Sequence, residues 1–253
     1  MKTRFLPWRS SSRAGVLAVG AILAITAASF SVTAQQRLSK RYPAGQNVRI
    51  ELRNISGTII VESWNKNEIR LSATIESKGT NVTPRQINES FVIDVMSDNR
   101  GRGDVGDINF KLQVPVNSSV DLETRRGDIK VADIRSGLVR AYVSSEGDIE
   151  LTNVSALHVI AQNVIGNIFF DGEFSRGGTY EFKSNKGDIV IRIPGDSAFR
   201  LVAASPARKI ALNDFWNSNF KNQDGRKMVG DVGDGRASVS VTNFSGQITF
   251  MRR

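Results

Sequence analysis

One short motif recurs along the chain: a glycine, a polar residue and an isoleucine, at Gly57-Thr58-Ile59, Gly127-Asp128-Ile129, Gly147-Asp148-Ile149, Gly166-Asn167-Ile168, Gly187-Asp188-Ile189 and Gly246-Gln247-Ile248. The four central glycines lie 20, 19 and 21 residues apart. Gly106-Asp107-Ile108 precedes Gly127 by 21 and reads as a further member, although its upstream flank, Asp98 to Val105, has the polarity of a loop. A period near 20 belongs to structural units stacked on one another.

Within each unit the apolar residues keep fixed offsets from the glycine. At the second and fourth positions after it stand Ile59/Val61, Ile129/Val131, Ile149/Leu151, Ile168/Phe170 and Ile189/Ile191. Seven and five positions before it stand Ile50/Leu52, Val120/Leu122, Val159/Ala161, Tyr180/Phe182 and Val239/Val241. Each pair marks a short period-2 strand with one buried face, so a unit holds two strands and two turns. An antiparallel sandwich has no reason to keep this offset. A solenoid does, because equivalent residues of successive coils lie about 4.8 Å apart, and Ile129, Ile149, Ile168 and Ile189 are expected to form one internal ladder. The glycine before each strand suits a turn with positive φ. No segment after residue 34 shows a convincing helical period; the best candidate, Pro84 to Ser90, is two turns at most. The expected fold is all-β, with the register kept from residue 48 to 250. About ten coils and a length of about 50 Å follow at the strand spacing.

The first 34 residues differ from the rest. Lys2, Arg4, Arg9 and Arg13 precede an uncharged run from Ala14 to Ala28, and the small-residue stretch Ser31 to Ala34 follows. That is the layout of a secretory signal peptide cleaved after Ala34; an uncleaved N-terminal membrane anchor is the alternative. The domains are then a signal peptide at 1–34 and a β-solenoid at 35–253. Of the net charge of +9, four positive charges belong to the leader, which leaves +5 on the mature chain. No Lys/Arg run is interleaved with aromatics, so nucleic acid is not an expected partner. The absence of Cys excludes a disulfide scaffold, thiolate metal sites and a thiol nucleophile.

The Gly-Asp-Ile units behind a signal peptide, closed by Val239-Ser240-Val241-Thr242-Asn243-Phe244-Ser245-Gly246-Gln247-Ile248, resemble the DUF4097 family of bacterial envelope β-repeat proteins, named as adhesins. The resemblance covers roughly residues 45–253. It implies a single-stranded right-handed β-helix with coils of about 20 residues, exported to the periplasm, envelope or cell surface.

Two segments break the period. Asp98 to Asp107 reads as an exposed loop. Ser205 to Arg236 carries Phe215, Trp216 and Phe220, which either cap the open end of the solenoid or form a contact surface. Stacked turns would place Asp128, Asp148 and Asp188 in a column with Asn167. A carboxylate column suits calcium, but the dense nine-residue calcium repeat is lacking, so solvated turns are the expectation. Arg102-Gly103-Asp104 and Arg126-Gly127-Asp128 spell the tripeptide read by integrins; the second belongs to a repeat turn. His158, the only histidine, falls on an outward position, and no Gly-x-Ser-x-Gly elbow presents a nucleophile. The residues thus favour a non-catalytic envelope protein with no cofactor or metal. Its polar surface would meet an unidentified envelope or extracellular protein or glycan, with adhesion as one such role. Membrane contact is expected only through an uncleaved N-terminus. The alternative is a polysaccharide hydrolase or lyase using carboxylates in an outer groove.

Overall fold

Strict alternation of apolar and polar side chains holds each repeat in extended backbone, and the glycines turn it. A computed structural model describes residues 35–253. In chain order its strands are β1 (Gln36–Pro43), β2 (Arg49–Ser56), β3 (Ile59–Trp64), β4 (Glu68–Ile75), β5 (Arg85–Ile87), β6 (Ser90–Asp94), β7 (Ile108–Pro115), β8 (Ser119–Arg126), β9 (Ile129–Ala132) and β10 (Arg135–Glu146). They continue as β11 (Ile149–Ile165), β12 (Ile168–Lys186), β13 (Ile189–Ile193), β14 (Phe199–Ala204), β15 (Ile210–Ala211), β16 (Lys221–Gln223), β17 (Lys227–Val232), β18 (Ala237–Asn243) and β19 (Ile248–Arg252). One helix, α1 (Val95–Asp98), follows β6, and a single 3-10 turn spans Asn213–Phe215. Among the described residues no helix is long and apolar enough to cross a membrane.

The strands stack as two parallel ladders that meet at the glycine corner. Strands that follow the corner run in the order β7, β3, β9, first part of β11, first part of β12, β13, β19, β15. Strands that precede it run β6, β2, β8, β10, second part of β11, second part of β12, β18, β14. The expected ladder is present: Ile129 pairs with Ile149, Ile149 with Ile168 and Ile168 with Ile189, and it extends to Ile59 on one side and Ile248 on the other. All of these are buried, as are the facing Leu52, Leu122, Ala141, Ala161, Phe182 and Val241. Burying each large aliphatic side chain in this seam contributes about 1.5–3 kcal/mol.

Two expectations are corrected. First, the winding is sequential only from β8 to β13. The β2/β3 rung lies against β8/β9 with β6 and β7 outside it, and the last two strands slot between β12/β13 and β14/β15. The glycine-bearing corners thereby become contiguous, in the order Gly57, Gly127, Gly147, Gly166, Gly187 and Gly246, and rungs without a corner glycine go to the ends. Gly106 is not in this column, because Ile59 pairs with Phe110 and the Ile108 carbonyl faces Gly57. Second, each ladder holds eight parallel strands and not ten, which spans about 34 Å between the outer strands at the usual spacing. Antiparallel pieces close the ends: β5 on β6 and β1–β4 on β7 at one, β17 and β16 on β14 at the other. Pro84 to Ser90, the nearest approach to a helical period in the sequence, forms no helix, in line with the all-β expectation. Arg85–Ile87 is a strand turned back onto β6 through Asn88 at φ 52, a left-handed position that asparagine tolerates.

The corner glycines answer to a close approach more than to φ. A Cβ on Gly127 would lie 2.4 Å from the Gly57 carbonyl oxygen, on Gly147 2.2 Å from that of Gly127, on Gly187 2.0 Å from that of Gly166, and on Gly246 1.8 Å from that of Gly187. The first five glycines also have positive φ, whereas Gly246 owes its identity to the contact alone. Gly147→Ala is expected to destabilise the protein by about 3 kcal/mol, while Gly45→Ala, where nothing lies within 4 Å of the new methyl group, shifts stability by less than about 0.5 kcal/mol. Urea denaturation of the two variants checks the contrast, and equal losses would remove the steric account.

Candidate functional site

The residue after each corner glycine builds a ladder of its own. The Asp128 carboxylate accepts the Asp148 backbone N–H at 2.9 Å, Asp148 accepts from Asn167 at 2.7 Å, the Asn167 side-chain oxygen from Asp188 at 2.9 Å and Asp188 from Gln247 at 2.8 Å. These side chains hold one rung to the next by satisfying N–H groups that the ladders leave over. Beneath them, three residues before the glycine at every rung but that of Gly147, lies a column of buried polar side chains that periodicity of apolar residues does not reveal. Asn163 Nδ2 donates to the Gly147 carbonyl at 3.2 Å, Ser184 Oγ to that of Gly166 at 3.3 Å and Asn243 Nδ2 to that of Gly187 at 2.8 Å. The glycine corner is thus a structural spine. At the opposite corner Asp133 and Asn153 take positive φ, and Asn153 Nδ2 donates to the Asp133 carboxylate at 2.6 Å.

The aromatic trio divides. Phe215 is 3% exposed and packs edge-on against Phe199 and Phe250, with ring centroids at 5.9 and 6.5 Å. Phe220 is 7% exposed. Both close the end of the core, because an open stack would leave Phe199 and Phe250 wet, and neither presents a contact surface. Trp216, 53% exposed and stacked on Phe220 at 5.8 Å, alone of the three faces solvent.

Several carboxylates of the outer faces are engaged by cations. Glu51 and Asp121 are register neighbours, and Arg49 reaches both, at 2.8 and 3.7 Å; Arg140 donates to Asp121 at 2.6 Å. Lys111 pairs with Glu62 at 2.9 Å and Lys130 with Glu150 at 3.0 Å. His158 is exposed, with Leu138 and Thr179 as its register neighbours. Asp171 is the one buried acid of the described residues. It accepts from Arg192 and, at 2.7 Å, from Arg253. Burial pushes its pKa up, but the two guanidinium hydrogen bonds and charges outweigh burial and hold the carboxyl below its ordinary value.

A second surface gathers residues remote in sequence. Ile55, Ser56, Arg125 and Arg126 form one wall of an open cleft of about 390 Å³, and the loop from Asn99 to Asp107 forms the other. The loop is pinned by buried Asn99, whose side chain accepts the Asn81 N–H at 2.8 Å and donates to the Asn81 carbonyl at 2.7 Å, and by Thr80 Oγ1 on the Val105 carbonyl at 2.8 Å. Arg100, Arg102, Arg125 and Arg126 all line the cleft and are exposed. Both integrin-type tripeptides end here: Arg102 donates to the Gly79 carbonyl, and Asp128 belongs to the structural ladder. This cluster was invisible along the chain because its halves lie some 25 residues apart and meet only through the out-of-order stacking of β2, β7 and β8.

Two outcomes follow. Phe215→Ala is expected to lose about 3 kcal/mol of stability, with Trp216→Ala within about 0.5 kcal/mol of the wild type; equal thermal shifts would refute the cap. Because the folded pKa of Asp171 is depressed, its contribution is whole above the ordinary value of 3.8 and is lost as pH falls through the lower folded value. Asp171→Asn is therefore expected to weaken the fold by roughly 1–3 kcal/mol at neutral pH and to flatten the acid limb of a stability–pH curve.

Comparison with known proteins extends the geometry. The Toastrack DUF4097 family matches residues 25–250. No curated protein matches the sequence. Among solved structures the chain is similar to a "putative cell adhesion protein" from Clostridium sporogenes ATCC 15579, at 10% identity and a TM-score of 0.48 over 87% of this chain and 100% of that one. It is also similar to a "putative adhesin" from Bacteroides fragilis NCTC 9343, at 8% identity and a TM-score of 0.47 over 87% and 99% of the two chains. With the family match covering residues 25–250, this chain belongs to the Toastrack DUF4097 family.

Proposed function

We propose that the mature chain is an exported, non-catalytic envelope protein whose stacked strands present a rigid polar surface to another macromolecule, adhesion being one such role. The observation that carries this reading is the regular outer face of the ladders. Its side chains pair across rungs, Lys111 with Glu62, Lys130 with Glu150, Arg140 with Asp121 and Gln162 with Glu181, so polar pairs repeat along the stack over the buried isoleucines beneath. Such pairs contribute little stability each, about 0–1 kcal/mol; their effect is to order the face. The coils advance by 20, 19 and 21 residues between register partners, and the winding proposed for them is right-handed, the hand favoured by parallel β crossover connections. The leader proposed at 1–34 lies outside the described residues. β1 starts at Gln36, so cleavage after Ala34 leaves the fold whole.

Protease shaving of intact cells beside fractionated ones, with N-terminal sequencing, tests the reading. Release of a chain beginning at Gln35 from intact cells supports surface contact. Protection in intact cells removes adhesion as a direct role, and a cytoplasmic, uncleaved chain removes export altogether.

A further inference from the structure

We infer that the arginine cleft between the glycine corner and the Asn99–Asp107 loop is a binding site for a phosphate-bearing ligand that carries about two negative charges. The inference stands on the cleft and is independent of where the protein resides. Of the twenty arginines among the described residues, eight (Arg41, Arg49, Arg85, Arg140, Arg192, Arg200, Arg236 and Arg253) lie within 4 Å of a carboxylate, and of the twelve that do not, four meet in this one cleft. The four are Arg100, Arg102, Arg125 and Arg126, although Asp104 and Asp107 line the same cleft. Those two acids are occupied otherwise. Asp104 accepts the Gly106 N–H at 2.9 Å, and Asp107 accepts the Ser56 hydroxyl.

Four guanidinium groups around two carboxylates leave two positive charges facing one concave space. Like charges held together in this way repel, and the arrangement is relieved by an anion of matching charge. Guanidinium presents planar forks of N–H donors that suit phosphate oxygens in pairs. The loop supplies room as well: a Cβ built on Gly101 or Gly103 would meet nothing within 4 Å. The wall opposite is rigid, because Arg125 and Arg126 end β8, and the Arg126 carbonyl accepts the Gly57 N–H at 3.0 Å within the corner spine. A phosphoryl group held there would bridge the loop and the spine.

Isothermal titration calorimetry of the purified protein with inorganic pyrophosphate at low ionic strength tests the site. Saturable binding is expected, weakened about tenfold or more in Arg125→Gln/Arg126→Gln and in Arg100→Gln, and unchanged in Arg200→Gln at the far end of the stack. These side chains are exposed, so the variants should melt with the wild type. Absence of heat at millimolar pyrophosphate overturns the inference, as does an equal loss in Arg200→Gln. Co-sedimentation with phosphatidylcholine vesicles containing phosphatidic acid, whose phosphomonoester carries up to two negative charges, separates the sources. Capture that is lost in Arg125→Gln/Arg126→Gln assigns the phosphate to a lipid headgroup, and pyrophosphate binding without capture assigns it to a soluble phosphorylated ligand.

Discussion

The structure depends on how closely one backbone can approach the next at a corner. Where the chain turns from one ladder to the other, the carbonyl of one glycine occupies the space that a side chain on the following rung would need. Five such contacts run without interruption from Gly57 to Gly246, and they keep the strands on both sides in phase. The buried isoleucine seam supplies most of the favourable energy, yet it is non-directional and would tolerate slippage by two residues. The corner does not tolerate it. Asn54, Asn163 and Asn243 beneath the spine and Asp128, Asp148 and Asp188 above it complete the turn by satisfying carbonyls and N–H groups that the ladders leave free.

The two ends show what the repeat alone cannot do. A parallel stack ends in a bare row of backbone donors and acceptors and in wet apolar side chains. One end is finished by strands turned antiparallel, including the cationic edge strand β1 with Arg37, Lys40 and Arg41. The other is finished by β17 and β16 and by a cluster of stacked rings in which Phe199, Phe250 and Phe215 meet. Neither finish follows the 20-residue period, and the second is made by the Ser205–Arg236 segment that breaks it.

That division explains how much could be read from residues alone. Fixed offsets from glycine identified the buried faces, because Ile129 and its equivalents must point inward at every rung. The order of the rungs was not readable: β2 and β18 carry the same offsets whichever neighbours they take, and only the absence of a corner glycine between β14 and β15 hints that this rung lies outermost. Gly106 misled for the same reason, since a motif three residues long does not encode its register. Phe215 and Trp216 are adjacent and chemically alike, yet a 3-10 turn sends one inward and leaves the other out. The arginine cleft had even less signal, being assembled from a loop and a strand end that are adjacent only in space.

The insertion of the final two strands between earlier rungs has a consequence for how the chain is made. A polypeptide that emerges from its N-terminus can stack β8 through β13 as each arrives, because those contacts are local. β14 and β15 then have no rung to rest on until β18 and β19 appear, some 40 residues later. The last five-residue strand is thus a keystone: before it arrives the Phe199 end of the core is open, and once it is seated the stack is closed from both sides.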